Sequence, residues 1–421
     1  MIKRELYLKK IRNFIDKPVI KVITGMRRSG KSMILKLISQ ELLERGILFQ
    51  NIIYINFESL MFSDLTEFKA LYSHIIEKSQ TLTGKIYILL DEIQEVEHWE
   101  KAVNSFMVDL DCDIYITGSN ANLLSSELAT YIAGRYVEIK VYPLSFKEYI
   151  DFAKIQNPQN ILNNEEYFEQ YLQFGGLPGI HNFNYDKSNI YQYLSDIYSS
   201  ILLKDVVAKN NIRDVELLER IILYVFDNIG NTFSAKNVSD FLKSQGRKLS
   251  RETVYNYLKA LESAYIISPV QRYDIRGKAH LETMEKFYLT DLGFRHAKLG
   301  YRPNDIAGYL ENIIYLELIR RKYTVNIGKL GTKEIDFIGT LENEKLYIQV
   351  TYLLASPETV EREFSPLKKI EDNYPKYVLS MDNLGEYNID GIMRKRIIDF
   401  LLEKTYKFFY NSSIEKNVIK Y

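Results

Sequence analysis

At 421 residues the chain exceeds what one hydrophobic core serves, so two to four domains are expected. Apolar residues at 46% and charged residues at 26% exclude a fibrous or disordered class, and Lys+Arg and Asp+Glu both number 55, so any affinity for nucleic acid has to come from local patches. The single cysteine, Cys112, excludes an internal disulfide framework and a multi-cysteine metal site. MIKRELYLKK carries no signal-peptide apolar core, and no run approaches the roughly 18 apolar residues of a membrane span; the expectation is a cytoplasmic protein without a membrane partner.

Residues 1–150 alternate short apolar runs with helical patterns. The runs are VIKVIT (19–24), NIIYINF (51–57), KIYILLD (85–91), DIYITGS (113–119) and YVEIKVYPL (136–144). Several are apolar nearly throughout, as parallel strands covered on both faces require. Helical stretches at 31–45 and 98–110 lie between them, which predicts a βαβ series and a doubly wound α/β sheet. Trp99 is expected to anchor the second of these helices in the core. Residues 151–210 read as a helical lid, broken by a turn at FGGLPGI (174–180).

Residues 211–295 hold two short helices joined by SQGRKL, with Ser234 and Ser250 as N-caps. The second buries Val254, Leu258, Leu261 and Tyr265 on one stripe and leaves Arg251, Tyr255, Asn256 and Lys259 outside. A strand at 266–272, a turn at DIRGKA and the strand KFYLTD complete a winged helix-turn-helix pattern. Those four exposed residues, with Arg272, Arg276 and Lys278 of the wing, are the candidate DNA contacts. A protein partner is the competing reading of the same surface. The last 120 residues open with the helix AGYLENIIYLELIRRK and continue into a hairpin, EIDFIGTLENEKLYIQVTY.

The chemistry is concentrated near the start. Gly25, Met26, Arg27, Arg28, Ser29, Gly30, Lys31 and Ser32 match G-x-x-x-x-G-K-[ST], with a strand before and a helix after. Backbone N–H groups of such a loop and the positive end of the helix dipole favour phosphate oxygens. Lys31 would reach the β- and γ-phosphates, and Ser32 would ligate Mg²⁺. Asp91 and Glu92 stand at the carboxyl end of KIYILLDEIQ, where α/β sheets bind ligands. Asp91 is the second magnesium ligand, and Glu92 orients and deprotonates the attacking water. Thr117, Ser119 and Asn120 all end the next strand as candidate γ-phosphate sensors, and the sequence does not choose among them. Arg135 is a candidate arginine finger toward a neighbouring subunit of a homo-oligomer, with action in cis, in trans or not at all left open.

The ordered stretches GMRRSGKS (25–32), LLDEIQ (89–94), TGS (117–119) and GR…PLSFKEY (134–149), with GGLP at 175–178, resemble a broad prokaryotic family of AAA-type ATPases. The resemblance implies ATP as the nucleotide, which the loop alone does not distinguish from GTP. It also implies a winged-helix domain and a C-terminal restriction-endonuclease-like domain. The expected architecture is therefore an α/β P-loop NTPase core over 1–150, a helical lid over 151–210, a winged helix-turn-helix over 211–295 and an endonuclease-like α/β domain over 300–421. That last domain departs from a nuclease pattern. Asp336 should pair with Gln349 across a turn at Glu342–Asn343, and Glu311 would complete a cluster, but the (D/E)-x-K position reads Gln349–Val350–Thr351. Lys333 or Lys345 would have to supply the amine. Glu311, Asp336 and Gln349 thus read as a vestigial nuclease site in a degenerate binding domain, with ATP-driven engagement of DNA or protein by the C-terminal units as the expected activity. A slow nucleotide-gated interaction switch and an ATP-regulated nuclease are the alternatives.

Overall fold

Several predicted strands are apolar on both alternating sets of residues, so a parallel sheet built from them has two faces to cover. The computed structural model describes residues 2–119, 121, 134–244, 250–383 and 385–403. Asn120 and most of the SQGRKL connection lie outside the described residues. Five strands, β1 (Ile20–Thr24), β2 (Ile52–Asn56), β3 (Ile86–Asp91), β4 (Cys112–Gly118) and β5 (Tyr136–Lys140), form a fully parallel sheet in the order β2-β3-β4-β1-β5. Ile88 and Leu90 pack with Leu71, Trp99, Val103 and Phe106 on one face, whereas Tyr87 and Leu89 pack with Tyr7, Ile34 and Ile38 on the other. The helices Phe68–Ser79 and Trp99–Asp109 cover the first face; Glu5–Arg12 and Lys31–Glu44 cover the second. Trp99, the first residue of its helix, is buried as expected.

Three helices follow, Phe146–Gln156, Asn164–Phe174 and Lys187–Ile201. Ser145 and Glu148 close the first of them with a reciprocal capping box. Glu148 has a second partner. Arg4, buried beneath the 25–32 loop, pairs with both its carboxylate oxygens at 2.9 Å and donates to the Ser29 carbonyl at 2.9 Å. One guanidinium thereby ties the N-terminus, the loop and the Phe146–Gln156 helix together.

The remaining chain does not hang as separate beads. Its helices Val215–Asp227, Ala235–Ser244 and Arg251–Ser263 lead into β6 (Ile267–Asp274) and β7 (Ala279–Leu289), an antiparallel hairpin. β6 also pairs in parallel with β8 (Thr324–Leu330), at Arg272↔Ile327. The sheet continues through β9 (Lys333–Leu341), β10 (Glu344–Val350), β11 (Lys376–Ser380), β12 (Tyr387–Ile389) and β13 (Ile392–Arg396), in the order β12-β13-β11-β10-β9-β8-β6-β7. One sheet therefore runs across residue 300. A single apolar core extends from Met26 and Phe146 through Leu218 and Leu261 to Phe337 and Leu401.

The GGLP turn fastens this assembly to the first sheet. Asp291 accepts the backbone N–H groups of Gly176 and Gly293, each at 2.8 Å. The Gly176 carbonyl takes the Leu144 N–H at 2.7 Å, and Arg320, from the helix Ile306–Arg320, donates to the Pro143 and Leu144 carbonyls at 3.2 Å. Burial pushes the Asp291 carboxyl from 3.8 up to about 6, against the opposing pull of the two amides. Between those values the folded protein holds a proton that the unfolded chain has lost, so this group's contribution to stability falls as pH rises through about 6. In Asp291→Asn, whatever its absolute stability, chemical denaturation between pH 4 and 7 should show a smaller decline than in the parent. Equal slopes would contradict the assignment.

Candidate functional site

The loop between β1 and the Lys31–Glu44 helix turns tightly against the strand behind it. Gly25 adopts φ 139°, and a Cβ there would lie 2.2 Å from the Val141 carbonyl oxygen. Gly30 is left-handed at φ 101° and opens the helix with no side-chain cap, so its first amides point into the loop unoccupied by a protein oxygen of that kind. Met26, Ser29 and Lys31 are buried, and Ser29 Oγ has no hydrogen-bond partner among the described residues. The Lys31 ammonium donates to the Met26 carbonyl at 3.2 Å and stands 3.7 Å from the Glu92 carboxylate. Burial lowers its pKa, and Glu92 opposes that shift.

Asp91 ends β3 fully buried, and three hydroxyls satisfy it. Ser32 donates to Oδ1 at 3.1 Å, Thr117 to Oδ1 at 2.6 Å and Tyr54 to Oδ2 at 2.9 Å. Burial, followed by the Asp91 charge, raises the Tyr54 pKa. Thr117 in turn accepts the Glu92 N–H at 2.8 Å, and Gln94 holds the Glu92 carboxylate at 2.5 Å. Glu92 itself sits at φ 55°, ψ 50°, a conformation that costs a non-glycine residue on the order of 1 kcal/mol or more. Of the three sensor candidates, Thr117 is committed to Asp91 and Glu92, whereas the Ser119 hydroxyl is buried without a partner among the described residues.

Arg27 and Arg272 depart from their expected placement. Arg27 turns away from the loop interior to Asp205 (3.0 Å) and Glu58 (3.2 Å), because buried Asp205 requires a cation, and Arg28 is exposed. Arg135 precedes β5, whose parallel register with β1 pairs Ile20 with Tyr136. It therefore lies at the amino ends of the strands, opposite the loop, and does not reach this site within one chain. Arg272 is half-buried and stands 3.8 Å from Glu334 instead of extending from the wing. By contrast, Arg251, Tyr255, Asn256, Lys259, Arg276 and Lys278 are exposed, and Val254, Leu258, Leu261 and Tyr265 are buried.

In the second sheet the two-residue turn at Glu342–Asn343 puts Phe337 opposite Ile348, so Asp336 and Gln349 are neighbours. The Asp336 N–H donates to Gln349 Oε1 at 2.9 Å, and Asp336 Oδ2 accepts the Val350 N–H at 2.8 Å. The Gln349 amide donates onward to Glu363 at 3.1 Å, so both its ends are used within the protein. Lys333 points to Ser365 and Lys345 lies over the Tyr273 ring; neither supplies the amine. That group is Lys286 of β7, buried and paired with Glu334 at 2.8 Å and Glu311 at 3.3 Å. Tyr288 adds a hydrogen bond to Glu311 at 3.1 Å. Burial would lower the Lys286 pKa, but Glu311, Asp336 and Glu334 outweigh it and raise it. Among the described residues no group of three or more His, Cys, Asp or Glu is placed to hold a metal ion. The sequence reading missed Lys286 and Glu363. Alternation along EKFYLTD, which turns Lys286 and Tyr288 to the same side, was the available signal for the lysine; Glu363 had none.

Comparison with known proteins places this geometry in a class. Residues 17–150 match the family model described as an AAA domain, and residues 165–305 match a domain of unknown function. The first sheet and its loop are thus an AAA-type, ATP-binding P-loop module. Over nearly its whole length the chain is 40% identical to an uncharacterized protein of Haemophilus influenzae, covering 96% of this chain and 99% of that one. An uncharacterized protein of Methanocaldococcus jannaschii is 31% identical, over 95% and 88% of the two chains. The chain belongs to the family these proteins form. Among solved structures, a RuvB variant of Thermotoga maritima is similar at 15% identity and a TM-score of 0.35, over 63% of this chain and 89% of that one. No described helix is long and apolar enough to cross a membrane.

Replacing Lys286 with methionine would leave Glu311, Glu334 and Asp336 without their shared cation. Stripping one partner from a buried charge cluster costs about 3–5 kcal/mol. Chemical denaturation of Lys286→Met at pH 8 should show a loss of that order, shrinking toward pH 5 as the carboxylates take up protons. A loss under about 1 kcal/mol at pH 8 would show that the ammonium is not the counter-ion.

Proposed function

We propose that this chain is a cytoplasmic ATPase that binds ATP with Mg²⁺ at residues 25–32 and passes its nucleotide state to C-terminal units that engage DNA. The observation that carries this reading is the convergence of Lys31, Ser32, Asp91 and Glu92 at one strand-end cleft, linked by contacts of 2.6–3.7 Å. The residues present fit the ligands. Two glycines allow close backbone approach, the helix start has no side-chain cap, and the buried Ser29 and Ser119 hydroxyls lack protein partners among the described residues.

In this reading the loop amides and Lys31 hold the β- and γ-phosphates. Ser32 and Asp91 would hold Mg²⁺, whose contribution is to neutralise charge on the phosphate oxygens. Glu92, fixed by Gln94 and by the Thr117 bond to its N–H, takes a proton from a water as the water oxygen bonds to the γ-phosphorus. The bond from that phosphorus to the bridging oxygen breaks, its electron pair leaves with ADP, and inorganic phosphate is the second product. Ser119 is the phosphate sensor. Arg135 acts, if it acts at the nucleotide, only across a homo-oligomer interface.

Residues 211–295 serve as a winged helix-turn-helix whose exposed Arg251, Tyr255, Asn256 and Lys259 contact the phosphate backbone and groove of DNA. Residues 300–403, which share their sheet with β6 and β7, act as a non-cleaving endonuclease-like unit. The observation favouring loss of cleavage is the buried Lys286 ammonium set against Glu311 and Glu334, together with Gln349 in place of a carboxylate.

A general base contributes about 10²–10⁴ in rate. Phosphate release by Glu92→Gln should fall by at least about 100-fold while ATP binding persists, and Lys31→Ala should lose binding. Unchanged release in both variants overturns the assignment. With Glu92→Gln held in ATP, a gel shift of duplex DNA should appear and weaken when Arg251 and Lys259 are both changed to alanine. No complex in the unsubstituted surface would make the helix face a protein-docking surface instead.

A further inference from the structure

The nucleotide loop is connected to the helical segment that leads into the C-terminal units by an ion pair that its motif does not require. Arg27 donates through Nε to Asp205 Oδ2 at 3.0 Å and through a terminal nitrogen to Glu58 at 3.2 Å. Asp205 is 1% exposed and also receives Lys209 at 3.1 Å. It lies in Leu202–Ala208, a π-helical segment continuing the Lys187–Ile201 helix. A π segment carries a residue beyond the α-helical repeat, and an α-helical arrangement of the same residues is its alternative. Immediately beyond it, Asn210 and Arg213 line one side of a polar groove of about 500 Å³. The other side is Asn256 and Lys259 of the Arg251–Ser263 helix, the face already assigned to DNA.

Arg27 is also close to the reacting end of the site. It follows Met26, whose carbonyl takes the Lys31 ammonium, and its partner Glu58 follows Phe57, whose N–H donates to the Asp91 carbonyl at 3.1 Å. A guanidinium held at that edge of the cleft has a γ-phosphate as its alternative partner, and a phosphate oxyanion is a stronger bidentate partner for arginine than one carboxylate oxygen. Asp205 would not be stranded by the exchange, since Lys209 remains beside it.

We propose that Arg27 and Asp205 form a latch read by the γ-phosphate. A triphosphate draws Arg27 off Asp205 and Glu58, and the freed segment 202–213 repacks against the Arg251–Ser263 helix and reshapes the groove. A diphosphate has no group at that position and leaves the latch closed. This inference rests on residues 25–32 being an ATP site, and it identifies how that site reports to the DNA-facing helix. The latch scales apparent affinity for ATP by the fraction of molecules in which it is open, and leaves affinity for ADP alone.

The test uses the full chain with Mg²⁺ and fluorescent ATP and ADP analogues. If the open form is populated at about one in ten, Asp205→Asn should bind the triphosphate about tenfold tighter with ADP unchanged. Arg27→Gln should lose the preference for triphosphate. In the parent chain, hydrogen exchange of the amides in 202–213 should change with a non-hydrolysable ATP analogue and not with ADP. That measurement stands even if Asp205→Asn does not fold. An unaltered ATP-to-ADP affinity ratio in a folded Asp205→Asn, or no exchange change at 202–213 with the analogue bound, overturns the latch while leaving the ATP site intact. A parent chain that binds neither nucleotide overturns both.

Discussion

A carboxylate buried at the end of a β-strand is costly unless every lone pair is answered, and in this protein Asp91 is answered by three hydroxyls from three different elements. Tyr54 comes from β2, Thr117 from β4 and Ser32 from the helix after the loop. The parallel order β2-β3-β4-β1 brings these elements to one side of the sheet, so the burial of Asp91 and the shape of the cleft are the same constraint. Thr117 extends the network to the Glu92 backbone, which holds that residue in its left-handed turn. A loop of glycines and one lysine would be only a basic bend without this acid facing it.

Two buried arginines carry the cleft's position outward. Arg4 links the Ser29 carbonyl to Glu148, and Glu148 is simultaneously the capping partner of Ser145. Arg320 clamps the Pro143 and Leu144 carbonyls from the C-terminal side, where Gly176 and Asp291 also meet. The PLSFKEY and GGLP stretches are thus mechanical joints between the first sheet and the second. With one apolar core running from Met26 to Leu401, a displacement at the loop meets packed groups in every direction. The Arg27–Asp205 pair is a contact along that boundary with a ready alternative partner.

Much of this was legible because it is local. A strand covered on both faces has to be apolar throughout, and the phosphate loop declares itself by the residue types that tight backbone approach permits. The hairpin turn at Glu342–Asn343 was equally readable, and with it the meeting of Asp336 and Gln349. What failed depended on distance or direction. Arg135 was read as a finger toward a neighbouring subunit with action in cis left open, and a residue entering a parallel strand lies at the end opposite a loop that leaves one, so only the reading in cis is lost. Arg272 looked exposed because a wing was expected to project, whereas β6 is paired on both sides and carries it toward Glu334. Lys286 and Glu363 reach the Asp336–Gln349 neighbourhood only through the second sheet and its helix; alternation along EKFYLTD was the one signal for the lysine, and Glu363 had none.

The account's central claim is that Lys31, Ser32 and Asp91 form one ligand site for a magnesium-bound triphosphate. A crystal structure of the full chain grown with Mg²⁺ and a non-hydrolysable ATP analogue measures this most directly. The account predicts the triphosphate along residues 25–32, with Lys31 moved from the Met26 carbonyl to phosphate and the metal between Ser32 and Asp91. A bound analogue elsewhere, with the Ser32–Asp91 hydrogen bond and the Lys31–Met26 contact both intact, would contradict it.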